Sequence, residues 1–196
     1  MWWNTLLWTA AIAACFTAAL LRSPAAREAC YRLDVRILER EPAGSALNLT
    51  AYYDAYRAAH VGDSGVDLPL PAGVTVRADG RTQWVPLGIQ AAMMRCDPCD
   101  DEGACRPSSY YLYGRSSLAN RPLALANPVG VIDAGFRGTL SIGLRALHGV
   151  SDPIALVAGE RLAQICAPDL SPVHSRVVRE LARHGTRGEA AIGSTG

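Results

Sequence analysis

The stretch GVIDAGFRG, residues 130–138, sets Asp133 behind Gly130-Val131-Ile132 and in front of an Ala-Gly turn. That pattern puts a carboxylate at the tip of a strand–turn–strand, where it can orient and deprotonate a water. A turn aspartate that bonds its own backbone has the same local sequence, so the stretch alone decides nothing. Three other clusters mix glycine with polar side chains: GDSGVDL at 62–68, YGRSSLA at 113–119 and GERLAQI at 159–165. Singly, each has an ordinary structural reading. Asp67 fits a solvated turn, Arg115 a surface ion pair, and Gln164 a polar residue on a strand face. A fifth stretch, RGEAAIGSTG at 187–196, offers backbone N–H groups and two hydroxyls on a backbone that bends freely, which suits an anion.

A metal-binding reading attaches to RCDPCDDEGACR, where Cys96, Cys99 and Cys105 form a C-x2-C-x5-C pattern within a cysteine-rich insertion at 95–107. Zinc held by these three is the sharp expectation. Structural zinc takes four ligands, however, and no histidine or fourth cysteine lies nearby. An exposed loop that happens to be rich in cysteine is the plainer alternative.

Composition removes several chemistries. All 19 basic residues of the 196 are arginine. With no lysine there is no Walker A phosphate loop and no Schiff-base nucleophile. A net charge of +1 gives no field that would gather nucleic acid. Arginine remains well suited to gripping phosphate with two parallel hydrogen bonds.

The N-terminal segment Trp2 to Leu21 is apolar apart from Asn4 and scattered threonines. It reaches the ~20 residues that a membrane-crossing helix needs. No basic residue precedes the apolar run, as one would in a secretory signal, and Arg22 and Arg27 follow it. The expectation is a membrane anchor over residues 2–21 with the following domain on the cytosolic side. A cleaved signal, with Thr17-Ala18-Ala19 as the cleavage site, is the rival.

Positioning these residues falls to short strands. Arg32 to Leu38 alternates partly between apolar and charged residues, as a half-buried strand does. Short apolar runs then recur between turn residues at 73–76, 84–89, 110–113, 123–125, 130–132, 139–142 and 154–157. Many short strands with frequent Gly and Pro predict an all-β sandwich or barrel. Two stretches read as helical, Leu49 to Ala59 and Ser116 to Asn120.

Taken together, in this order and spacing, the five clusters resemble the trimeric dUTP diphosphatases (dUTPases). GDSGVDL looks like their first motif, GRSSLA the second, NPVGVIDAGFRG the third, GERLAQ the fourth and RGEAAIGSTG the fifth. The resemblance spans nearly all of the chain from Tyr31. It implies a distorted jelly-roll-like β-barrel at 30–185, a mobile C-terminal arm at 186–196 and a homotrimer sharing its active sites, while the hydrophobic N-terminal segment and linker at 1–29 lie outside it. The implied reaction is hydrolysis of dUTP to dUMP and pyrophosphate, with Mg²⁺ as cofactor. Asp133 matches the carboxylate that activates the attacking water. Asn127 matches the residue that reads the uracil edge, beside a slot at Gly130, Val131 and Ile132 too narrow for thymine's methyl. Phe136 stands where the family usually has Tyr packed on the deoxyribose. Arg115, Ser116 and Ser117 match the phosphate-binding turn, with Ser117 in place of the commoner Gly. Gln164 matches the phosphate-side glutamine, and Asp67 the acid that holds a magnesium-bound water. Arg187 and Gly193-Ser194-Thr195 match the arm that closes over the terminal phosphates.

The arm departs from the family where Gly-Gly-Phe usually precedes Gly-Ser-Thr-Gly. Here the residues are Ala190-Ala191-Ile192. Ile192 can cover the base but lacks the planar face that favours stacking, and two alanines stiffen a segment that normally bends at glycine. Two rival functions accompany the main one. A dCTP deaminase of the same fold needs a glutamate base near the hairpin, where this chain has Asp133. A catalytically weak dUTPase-like protein acting by nucleotide binding or signalling draws on the N-terminal segment and the altered arm.

Overall fold

Thirteen strands and one helix make up the described part of the chain in a computed structural model covering residues 30–38, 47–59, 62–96 and 105–182. The candidate anchor at 2–21, Cys99, Arg187 and the arm residues Ile192, Gly193, Ser194 and Thr195 lie outside these ranges. Among the described residues no helix is long and apolar enough to cross a membrane.

The strands are β1 (Cys30–Ile37), β2 (Gly65–Pro69), β3 (Val74–Val76), β4 (Gln83–Pro86), β5 (Ile89–Cys96), β6 (Cys105–Ser108) and β7 (Tyr110–Gly114). They continue with β8 (Leu123–Leu125), β9 (Val129–Ile132), β10 (Ser141–Ala146), β11 (Ile154–Leu156), β12 (Arg161–Cys166) and β13 (Val173–Val177). Helix α1 (Leu49–Ala59) follows β1, and a 3-10 turn at Ser116–Asn120 follows β7. The mostly β architecture agrees with the sequence reading, and both helical stretches form over the expected residues.

Four sheets share one core, in the orders β13-β1-β5-β6, β2-β12-β7-β9, β4-β10-β8 and β11-β3. Leu33, Val35, Leu68, Leu87, Ile89, Met93, Leu140 and Leu144 are fully buried at their centre. Strands such as β4 turn one face to this core, whereas β5 and most of β2 are buried on both faces. The apolar run at 84–89 is not one strand. It breaks at Leu87-Gly88, where Gly88 has φ +69°, a left-handed turn that glycine adopts at no steric cost. β4 and β5 then leave in different sheets. Helix α1 packs against β13 and β1, and begins at Asn48, whose side-chain oxygen accepts the Ala51 N–H at 2.9 Å.

Candidate active site

The sheet β2-β12-β7-β9 carries nearly every candidate residue. Asp67 sits mid-strand in β2 between the fully buried Val66 and Leu68, and is itself only 6% exposed. A carboxylate held there needs charged or hydrogen-bonding partners. Two guanidiniums supply them: Arg115 Nε lies 2.6 Å from Asp67 Oδ1, and Arg161 Nη1 lies 3.3 Å from Oδ2. Asp67 is thus the hub of an ion-pair cluster rather than a solvated turn residue.

Arg115 is fixed from several sides. It follows β7, its backbone N–H donates to Leu162 O at 2.9 Å, and Nη1 donates to Ser117 Oγ and to Arg161 O, each at 3.3 Å. The chain then turns through the 3-10 segment, leaving Ser116 and Ser117 exposed. Gln164 lies on β12 directly opposite Asp67 on β2 and Tyr113 on β7. Gly65 is required by this arrangement, because a Cβ at that position would collide with the Gln164 carboxamide.

These residues surround one open cavity of about 450 Å³, lined by Tyr56, Asp63, Ser64, Gly65, Asp67, Arg115, Ser116, Arg161 and Gln164. Three clusters far apart in sequence therefore meet at one polar hollow. Its lining of guanidiniums, hydroxyls and a carboxamide suits an anion with several oxygens. Its carboxylates, Asp63 and Asp67, are oxygen donors of the kind that Mg²⁺ accepts through water.

The hairpin residues lie elsewhere. β9 pairs with β7 on the side opposite β12. Asn127, Gly130 and Ile132 line a separate, shallow hollow with Trp84, Leu112, Leu125 and Ser141–Gly143, of about 20 Å³. Val129 and Val131 point outward, 45% and 65% exposed. Asp133 is exposed just past β9, where its carbonyl accepts the Phe136 N–H at 3.0 Å and closes the turn. Phe136 is half-buried against the core. The turn is further braced by Arg137, whose Nη1 donates to Ala134 O at 2.9 Å and to Phe136 O at 2.7 Å. Within one chain, then, Asp67, Arg115, Ser116 and Gln164 come together, while Asn127, Gly130 and Ile132 line a different hollow.

A model of the dUTPase family matches residues 51–196, about three-quarters of the chain and all five motifs. The chain belongs to the dUTPase family. The deoxyuridine 5'-triphosphate nucleotidohydrolase of Corynebacterium jeikeium is 35% identical over 143 residues, covering 71% of this chain and 84% of that protein. The enzyme of the same name from a Mycobacterium species (strain JLS) is 38% identical over 144 residues, covering 70% and 84%. Among solved structures, the dUTPase from phage phi11 of S. aureus aligns with a TM-score of 0.43 at 16% identity, over 82% of this chain and 98% of that one.

This dUTPase-family chain contributes cavity residues that sequence reasoning did not single out. Arg161 and Gln164 are three apart, so simple alternation would send them to opposite faces of a strand. The register of β12 on β2 shifts between Arg161 and Ala163. That bulge adds one residue to the count and turns both side chains toward the cavity. Tyr56 reaches it from helix α1, and its hydroxyl donates to Gly65 O at 2.7 Å. Burial pushes the Tyr56 phenol up to about 12. The helix itself is legible in the sequence, but no motif there marks Tyr56 as a cavity residue.

The zinc reading is corrected. Cys96 and Cys105 are directly opposite on β5 and β6 and form a disulfide, with Cα atoms 4.1 Å apart. Two of the three proposed ligands are therefore oxidised and cannot serve as thiolates. Among the described residues no group of three or more His, Cys, Asp or Glu is arranged to hold a metal. The physical reason lies in the pairing of the two strands, which sets the two cysteines at bonding distance whatever the nine-residue spacing suggests.

Proposed function

We propose that the chain hydrolyses dUTP to dUMP and pyrophosphate, with each active site assembled between subunits of a homotrimer. The observation that carries this reading is the division of the motif residues. The phosphate-type cavity around Asp67 and Arg115 holds none of the hairpin residues, and the hairpin leaves Val129 and Val131 exposed. A second copy of the chain would bring a hairpin to each cavity and bury those side chains.

In the assembled site, Asn127 and the backbone of β9 read the uracil edge, and the Phe136 ring packs on the deoxyribose. Arg115, Ser116, Ser117 and Gln164 hold the phosphates. Asp133 takes a proton from a water that attacks the α-phosphorus. The bond from that phosphorus to the oxygen bridging toward the β-phosphate breaks, and pyrophosphate leaves with that oxygen. The cavity holds two guanidiniums and two carboxylates, so it does not by itself offset the charge of a triphosphate. Asp67, with Asp63 beside it, would hold Mg²⁺ through water, and the metal when bound supplies that missing positive charge. Arg187 and Gly193-Ser194-Thr195 would add donors to the terminal phosphates.

Pyrophosphate release from dUTP tests the proposal, compared between this protein and Asp133→Asn. Release by the first and about a thousandfold less by the second supports it. Equal, background-level release from both sinks it and leaves a nucleotide-binding role. Ammonia release from dCTP would indicate deamination instead. Within this reading, Ile192→Phe should lower KM or raise kcat by restoring a stacking ring.

A further inference from the structure

Three cysteines stand in one row across the sheet β13-β1-β5-β6. Cys96 of β5 is directly opposite Cys105 of β6 on one side and Cys30 of β1 on the other. The disulfide to Cys105 shows that this register brings two sulfurs within bonding reach. Cys30 holds the same register relation to Cys96, and opposite residues of an antiparallel pair have Cα atoms ~4.5–5.5 Å apart on either side. Cys96 therefore has two partners in register and can bond one at a time.

A cation is aimed at the existing bond. Arg32 follows Cys30 by two residues, so both positions fall on the same face of β1. Its Nη1 donates to Cys105 Sγ at 3.5 Å and to Cys96 Sγ at 3.9 Å. Its other two nitrogens are anchored on Asp34, Nε to Oδ1 at 2.9 Å and Nη2 to Oδ2 at 3.4 Å. Arg176 of β13 grips the same carboxylate, with Nε and Nη2 each at 3.1 Å. Two guanidiniums on one carboxylate leave a net positive charge, and Arg32 Nη1 presents it to the sulfurs. A neutral disulfide gains little from that cation, whereas a thiolate gains a charge-assisted hydrogen bond. The arrangement thus favours departure of a sulfur as thiolate. Cys96 and Cys105 are both only partly buried.

We propose that Cys30, Cys96 and Cys105 form a thiol–disulfide exchange site, with Arg32 stabilising the leaving sulfur. The Cys30 thiol gives its proton to solvent, and the thiolate attacks Cys96 Sγ. A Cys30–Cys96 bond forms, the Cys96–Cys105 bond breaks, and the electron pair stays on Cys105 Sγ beside Arg32 Nη1. The step is an isomerisation with no net oxidation, so it needs no external oxidant or reductant. It moves the covalent tie: the edge strand β6 is released from β5, and the first residue of β1 is fastened there instead. Residues 1–29 are then joined to a covalently fixed strand. None of these residues belongs to the phosphate-side cavity or the hairpin, so the exchange stands apart from dUTP turnover.

Full-length protein purified without reductant is labelled with iodoacetamide at neutral pH, digested without reduction and mapped by mass spectrometry. Two species are expected: Cys96–Cys105 with Cys30 labelled, and Cys30–Cys96 with Cys105 labelled. Cys30→Ser should lower Cys105 labelling at least about tenfold, because the disulfide loses its internal nucleophile. Arg32→Gln should slow Cys105 labelling about tenfold as the thiolate loses its guanidinium. Arg176→Gln removes the other grip on Asp34 and leaves Arg32 beside the sulfurs, so labelling should stay within about twofold. Damage to the fold has the opposite sign, since it would raise labelling of Cys105 together with the buried thiol of Cys166. The inference is overturned if Cys105 stays unlabelled in the parent, or is labelled equally in the parent and in Cys30→Ser. A Cys96–Cys99 link in place of Cys30–Cys96 would overturn it as well. Equal labelling in Arg32→Gln and the parent would remove Arg32 from the mechanism.

Discussion

The two halves of the candidate site differ in how finished they are. On the β2–β12–β7 side every charged group has a partner inside the same chain. Asp67 is gripped by two arginines, Arg115 is anchored by its backbone and by Ser117, and Gln164 packs against the bare Cα of Gly65. On the β9 side the hairpin is rigid at its turn and bare on its surface, with Val129, Val131 and Asp133 all exposed. The first half is preorganised by intrachain electrostatics and packing. The second presents the apolar side chains of Val129 and Val131 to solvent beside the exposed Asp133. Preorganised charge and an unfinished apolar edge in one sheet are what a site built between subunits requires.

The sharpest break of that comparison is Asp133→Asn. It should lower kcat about a thousandfold while the melting temperature stays within about 2 °C of the parent, since an exposed turn residue contributes little to the fold. Steady-state kinetics with differential scanning calorimetry checks both values. Asp67→Asn should behave in the opposite way. It leaves two guanidiniums facing an uncharged amide, so we expect a loss of about 2 kcal/mol in folding stability together with weaker dUTP binding. Denaturant unfolding and calorimetric titration read those two effects, and an unchanged midpoint would mean that the cluster is not structural.

Val131→Asp tests the unfinished edge. At 65% exposure the substitution should change the stability of the isolated chain by less than about 0.5 kcal/mol. Trimer formation and dUTP turnover should nevertheless fall by about tenfold or more, measured by analytical ultracentrifugation and pyrophosphate release. If turnover is kept, the hairpin is not a contact surface. Gly65→Ala should cost about 1–3 kcal/mol by forcing Gln164 aside, and should raise KM with little change in kcat. The smallest effect on activity belongs to Cys105→Ser, which lies outside both halves. Losing the disulfide should cost about 2 kcal/mol of stability and leave kcat/KM unchanged.

The sequence alone determined the identities and order of the site residues. Motifs such as GDSGVDL, GRSSLA and GERLAQ are local, each a strand end or tight turn whose glycines and short polar side chains are set by backbone sterics over a few residues. For the same reason the helix at 49–59, the 3-10 turn at 116–120 and the strand at 123–125 were legible to the residue, since local propensity and burial agree there. Tertiary structure decided what those residues meet. The pairing of β5 with β6 turned a suspected zinc loop into a disulfide, and the twin arginine grip on Asp67 needed three strands from distant parts of the chain. The bulge at 161–163 brought Arg161 to the cavity against the strand period, and the packing of α1 brought Tyr56 there as well. Register, bulges and helix docking are fixed by the packing of the whole core, and no short stretch of sequence carries that information.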